Sequence, residues 1–291
     1  MPLPEPPPAE TTMLPAGTYD GVTVVVTGGG TGLGRAIAVA FARLGASVGI
    51  VSRAEEHRAA GVAAVEGVGA RAVGAAADVR EADQVAAAFA AVEEALGPVS
   101  ILINNAAANF PVTAAGLSPN GFRSVTDIVL NGTFFCSQEL HKRCASRGVP
   151  GAIVNILATQ SWTGGPGMAP AAAAKAAVGN LTKTLAVEWA SDGVRVNAVA
   201  PGLFPHEDMR DDLKALRTTG DDVDARRQPA GRTGRRHELA WAATYLCSPY
   251  AAFITGTTLV VDGGNWLRRH FVMPEFEPID DQLSAVLRPP T

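Results

Sequence analysis

The chain has 291 residues, of which 47% are hydrophobic and 18% charged, enough to bury a full core in one or two domains. A net charge of -4 leaves no basic excess for neutralising phosphates, which argues against nucleic acid as a partner. Cys136, Cys144, Cys247 and the five histidines show no ligand or CxxC spacing, so buried thiols are expected and no disulfide framework or metal site is.

The N-terminal "MPLPEPPPAETTMLPAG" is crowded with prolines, which forbid helix and ladder pairing, and it predicts a loose, flexible arm over residues 1–17. It lacks the basic start and apolar core of a signal peptide. No apolar run approaches the roughly 18 residues of a membrane span, so the cytoplasm is the expected compartment. From Tyr19 onward, strand-sized apolar runs alternate with Ala-rich segments: 22–27, 46–51, 71–76, 99–103, 152–157, 194–200 and 257–262. Continuous apolar strands separated by crossover-length segments predict a doubly wound, seven-stranded parallel α/β sheet of the Rossmann type in one domain over 18–266.

After the first run comes "TGGGTGLG", placing Thr27, Gly28, Gly30, Thr31, Gly32, Leu33 and Gly34 between a strand and a helical "RAIAVAFARLG". Gly28 permits a tight turn, Gly32 lets backbone approach a pyrophosphate and Gly34 lets helix pack on strand, so a dinucleotide is the expected ligand. The second strand ends in Ser52 and Arg53 where an NAD site carries an acid. A guanidinium there takes the 2'-phosphate of NADP, the alternative being a solvated arginine beside Glu55 and Glu56. The charge-dense stretch from Phe204 to about Arg236, after the sixth strand, is read as a lid; its Arg210, Glu207, Asp208, Asp211 and Asp212 read as a solvated charged face. Residues 267–291 read as an extended tail packed on a neighbouring surface or subunit.

The "TGxxxGxG" pattern, "NNAA" at Asn104 to Ala107, "VLNGTF" around Asn131, Lys175 in a long helix and "PG" at Pro201–Gly202 together resemble the short-chain dehydrogenase/reductase family over about Tyr19 to Gly264. The resemblance implies that Asp78 and Val79 flank the adenine, Asn105 and Ala106 line the cofactor groove, and Pro201, Gly202 and Leu203 meet the nicotinamide. It further implies that Lys175 holds the nicotinamide ribose, that Asn131 supports a water leading to it, and that the protein is a homo-oligomer, commonly a tetramer.

Most of the family carries a tyrosine four residues before that lysine and a serine thirteen residues earlier still; here these positions are Ala171 and Ala158. Reducing an isolated carbonyl needs a proton for the alkoxide, help typically worth ~10² to 10⁴-fold, and two alanines cannot give it. The segments "NNAAANF", "LSPNGFRSVTDIVLNGTFFCSQ" and "ATQSWTGGPGMAPAAAAKA" resemble instead the 2,4-dienoyl-CoA reductase branch. That resemblance implies NADP(H), an unsaturated acyl-CoA substrate, and an enolate oxygen held by Asn109 and by Gln160, the latter where the branch has tyrosine. It also implies substrate contacts from Arg80, Phe110 and Ser118, although Ser118 is equally placed to cap a helix. Two alternatives stay open: a nucleotide-binding homologue without turnover, and a carbonyl reductase using another acid.

Overall fold

The computed structural model describes residues 2–206, 208, 224–225 and 227–267. The apolar runs become β1 (Thr23–Thr27), β2 (Ser47–Ser52), β3 (Ala72–Ala76), β4 (Val99–Asn104), β5 (Gly151–Ile156), β6 (Val194–Pro201) and β7 (Thr258–Val261). They pair in parallel in the order β3-β2-β1-β4-β5-β6-β7. Every residue of β1 and β5 is buried, as a sheet covered on both faces requires.

The helices are α1 (Gly32–Arg43), α2 (Glu55–Glu66), α3 (Ala82–Leu96), α4 (Pro119–Thr126), α5 (Gly132–Arg147), α6 (Gln160–Thr163), α7 (Ala169–Glu188) and α8 (Arg236–Cys247). On one face Ile37 and Phe41 of α1 and Leu239 and Leu246 of α8 pack on Val24, Val26 and Ile50. On the other, Phe89 of α3, Leu140 of α5 and Leu185 of α7 pack on Val25, Leu102 and Ile153. Because β1 is flanked by β2 and β4, the winding direction changes there, and a crevice opens beyond the carboxyl ends of those strands.

Two features of this frame bear on the crevice. A single turn of π-helix, Asp127–Asn131, joins α4 to α5. Asn104 of β4 and Asn155 of β5, polar residues inside buried strands, form a relay: Asn104 Nδ2 donates to Ser137 Oγ of α5 and to Asn155 Oδ1, both at 2.9 Å. Asn155 Nδ2 in turn donates to Thr182 Oγ1 of α7 at 2.9 Å. The buried amides are thereby satisfied, and α5 and α7 are tied to the middle of the sheet.

Residues 2–17 of the N-terminal arm follow the surface of α1 and α8, with Leu14 buried in the core on that side. The prolines hold the chain extended, so its carbonyls turn outward to side-chain donors. Arg43 donates to Ala9 O, Arg232 Nε to Pro4 O and Trp241 Nε1 to Thr11 O, while Glu5 pairs with Arg235 at 2.7 Å.

Most of the expected lid (207, 209–223 and 226) and the tail from 268 onward lie outside the described residues. Among the described residues no helix is long and apolar enough to cross a membrane, and no group of three or more His, Cys, Asp or Glu side chains comes together as a metal site. The three cysteines are buried free thiols; burial pushes Cys136 and Cys247 up to about 12.

Candidate active site

At the head of the crevice the chain leaves β1 through the glycine loop. Gly28 has φ of +63°, and a side chain on it would press against Asn105 and Ala106 of the neighbouring loop after β4. On Gly34 a Cβ would lie 2.2 Å from Gly28 O, and on Gly30 one would lie 1.9 Å from His57 O at the start of α2. Thr27 and Asn105 stitch the two loops together. Thr27 Oγ1 accepts the Asn105 and Ala106 N–H groups at 3.0 Å, and Asn105 Nδ2 donates to Thr27 O and Gly28 O at 3.0 and 3.1 Å. These contacts commit the Thr27 hydroxyl and the Asn105 amide to shaping the groove.

Collision with backbone cannot be relieved by a rotamer change. Gly30→Ala is therefore expected to cost about 2 kcal/mol or more, whereas Gly164→Ala, with φ of +70° and open space around it, should cost only the left-handed strain of roughly 1 kcal/mol. Urea unfolding of the two variants checks this. Equal losses would show that the loop is not closely packed.

α1 starts without a capping side chain, since Thr31 makes no cap hydrogen bond; Leu33 packs inward on the core. The Gly32 N–H donates instead to Asp208 Oδ2 at 2.9 Å, and Arg35 Nη2 meets the same oxygen at 2.8 Å. Asp208, read from sequence as part of a solvated face, is thus turned inward, because a helix N-terminus and a guanidinium together outcompete water for a carboxylate. An anion already sits where the sequence placed a pyrophosphate. Glu207, Arg210, Asp211 and Asp212 lie outside the described residues.

Arg53, Asp78 and Arg80 come together beyond the ends of β2 and β3. Arg80 grips the Asp78 carboxylate, Nε lying 3.0 Å from both oxygens, and Arg53 Nη1 approaches it at 3.5 Å. The Arg80 hydrogen bonds hold the Asp78 carboxyl below its ordinary value. Arg80 thus pairs with Asp78 beyond β3, the Arg53 side chain is 61% exposed, and Val79 packs against Gly132.

At the other end, Lys175 is buried in α7 and donates to Ile156 O at the tip of β5. Burial lowers its pKa to about 8. One turn before it, Ala171 is buried with Val125, Val129, Leu157, Ala174 and Val178, so the face that carries a phenol in most of the family is apolar here. Asn109 Nδ2 points to the sulfur of Met168, and a side chain on Gly165 would lie 3.3 Å from Met168 Cβ and 3.4 Å from Gln160 Oε1. Asn109 and Gln160 thus border one floor made by Met168 and Gly165. Trp162 of α6 meets Trp266 with ring centroids 5.7 Å apart and planes tilted by 38°, linking that floor to the turn after β7.

The remaining expected residues have local partners. Asn131 is exposed and donates to Asp127 Oδ1 across the π-turn at 3.0 Å; Ser118 accepts the Gly121 N–H at 3.0 Å, capping α4. Phe110 packs against the apolar cluster around Ala171. Gly202, after Pro201, donates to Val261 O at 2.9 Å, and Leu203 O accepts the Gly234 N–H at 3.0 Å, pinning that loop to the end of β7. The Asn104–Asn155–Thr182 relay and Asp208 were missed from sequence; asparagines inside the apolar runs "ILIN" and "AIVNI" were the available signal for the relay. A cavity of about 500 Å³ lies between the arm, α1 and α8 and touches the site at Arg35.

A crevice at a winding reversal, a glycine loop feeding an anion-holding helix and a buried lysine on the facing helix define a doubly wound α/β oxidoreductase. The chain belongs to the short-chain dehydrogenase/reductase family: residues 28–265 match the family described as enoyl-(acyl carrier protein) reductase. It is 39% identical over 245 residues to the peroxisomal 2,4-dienoyl-CoA reductase of Mus musculus, covering 83% of this chain and 82% of that one. A solved short chain dehydrogenase from Bacillus anthracis aligns with a TM-score of 0.77 at 41% identity, covering 86% of this chain and 98% of that one. A gluconate 5-dehydrogenase from Burkholderia cenocepacia, solved with NADP and tartrate, aligns with a TM-score of 0.79 at 35% identity, covering 86% and 97%.

Proposed function

We propose that the protein reduces a conjugated unsaturated acyl-CoA thioester with NADPH, in the manner of the 2,4-dienoyl-CoA reductases it resembles. The observation that carries this reading is the apolar burial of Ala171 one turn from Lys175, beside two carboxamides that border a common floor. Such a site has hydrogen-bond donors and no acid on the usual face. It suits a reaction in which charge develops on an enolate oxygen rather than on an alkoxide that must be protonated at once.

The residues present fit a dinucleotide. Backbone fills the space that side chains on Gly28, Gly30 and Gly34 would take, and the Gly32 N–H already holds a carboxylate as an anion stand-in. Gly28 to Gly34 would take the pyrophosphate, Arg53 the 2'-phosphate, Asp78 and Val79 the adenine, and Lys175, Pro201, Gly202 and Leu203 the nicotinamide ribose and ring. When bound, the cofactor supplies a hydride. The far carbon of the diene would gain that hydride, whose electron pair forms the new C–H bond, while the π electrons of the conjugated system shift to the thioester oxygen. Asn109 and Gln160 donate to the resulting enolate; the Asn109 amide lies against the thioether of Met168, a weak acceptor. Water then protonates carbon.

A second reading rests on the likeness to gluconate 5-dehydrogenase, which would make the substrate a hydroxy acid. Incubating the protein with NADPH and 2,4-dienoyl-CoA, 2-enoyl-CoA, 3-oxoacyl-CoA and a keto sugar acid, while following NADPH absorbance, separates the two. Turnover confined to the dienoyl thioester is expected. Efficient reduction of an isolated ketone would overturn the proposal.

Cofactor choice has its own test. Arg53 is exposed and only loosely paired with Asp78 at 3.5 Å, so its guanidinium can turn to a phosphate. Arg53→Asp should weaken NADPH binding by roughly tenfold or more while changing NADH binding little. Tighter binding of NADH than NADPH by the unmutated protein would refute the assignment.

A further inference from the structure

We infer that Asp208 is an internal occupant of the cofactor's phosphate seat, which the dinucleotide must displace in order to bind. The inference rests on reading the glycine loop as a pyrophosphate site. Its basis is one carboxylate oxygen shared by two donors from α1, the Gly32 N–H at 2.9 Å and the Arg35 guanidinium at 2.8 Å. The Asp208 and Arg35 side chains are 24% and 25% exposed, so the pair is partly withdrawn from water. His206 bears on the same turn: a Cβ on Gly32 would lie 2.8 Å from its Cε1.

What makes the end of α1 receptive to phosphate also makes it receptive to this carboxylate: unpaired amides and the positive end of the helix dipole. Two anions cannot share it. A protein in equilibrium between an occupied and an open seat binds its ligand more weakly by the fraction of molecules that are open. Asp208 therefore sets a threshold on cofactor affinity, and cofactor entry frees the side chain that follows β6.

The test uses the full chain and NADPH itself. NADPH affinity is measured by fluorescence titration for the unmutated protein, Asp208→Asn and Asp208→Glu. Amide hydrogen exchange at Gly32 is followed in each without cofactor. Asp208→Asn should tighten NADPH binding by roughly tenfold, the scale of one charge-assisted hydrogen bond, and should speed exchange at Gly32. Asp208→Glu, which keeps the charge, should bind within about threefold of the unmutated protein. If the unmutated protein binds NADPH and Asp208→Asn binds it equally or more weakly, the inference is overturned while the glycine-loop reading stands. If neither binds NADPH, the reading of the loop fails and the inference falls with it.

Discussion

Replacing Lys175 by Met is expected to raise the stability of the protein at neutral pH while removing most of its activity. Burial lowers the lysine from its ordinary 10.5 to about 8 in the folded chain, so the unfolded chain binds the proton more tightly. The penalty is fully present below pH 8 and fades as pH rises from 8 towards 10.5, because over that window the unfolded state carries more protons and folding gains. At neutral pH it amounts to about 3 kcal/mol, set against about 1 kcal/mol from the hydrogen bond to Ile156 O that the methionine forgoes. Urea unfolding of both proteins at neutral pH and near pH 10 gives the answer: the variant should lead at the lower pH, and the gap should close at the higher. A gap independent of pH would mean that the lysine is not held against its charge. Loss of the ammonium should also weaken NADPH binding and lower turnover by roughly 10²-fold, since it removes the cation proposed to orient the nicotinamide ribose.

Gln160→Leu is expected to lower kcat on a 2,4-dienoyl thioester by roughly 10² or more, the usual consequence of deleting one preorganised donor to an oxyanion, worth about 2.7 to 4 kcal/mol in the transition state. NADPH affinity should barely change. The contrast with Lys175→Met separates the substrate end of the crevice from the cofactor end. Gln160→Tyr, which restores a hydroxyl donor, should keep or raise the rate. Hydride transfer measured in a single turnover with saturating NADPH, with a separate cofactor titration for each variant, tests both. If the leucine variant turns over as fast as the unmutated protein, the amide is a bystander. If no variant reduces any conjugated thioester, the protein is better described as a nucleotide-binding homologue without turnover.

The sheet was legible because its signal is local. Each of the seven apolar runs became a strand within one residue of its expected bounds, as shown by 99–103 against Val99–Asn104 and 194–200 against Val194–Pro201. The glycine loop was legible for the same reason, since strand, glycines and helix are consecutive. What the sequence hid depends on partners far away in the chain. The arm's prolines signal an extended chain, but not that Arg43, Arg232 and Trp241 would collect its carbonyls. Asp208 sits among other acids and reads as surface until Gly32, 176 residues earlier, is beside it. Ser118 carried two readings, and the geometry supplies the cap. The π-turn at Asp127–Asn131 has no composition of its own; it sits where α4 and the turn itself pack on α7 while α5 continues from it onto the sheet.

The relay from Asn104 through Asn155 to Thr182 is buried inside the fold. Thr182 lies seven residues beyond Lys175, about two turns along the same face of α7. A rotation of the helix about its axis would swing the ammonium away from the crevice, and it would also break the bond to Asn155. The lysine's aim is therefore held by a fastening on the adjacent strand, independent of whatever occupies positions 171 and 158. A chain built this way can exchange the groups around its lysine, and with them its chemistry, without loosening the lysine itself.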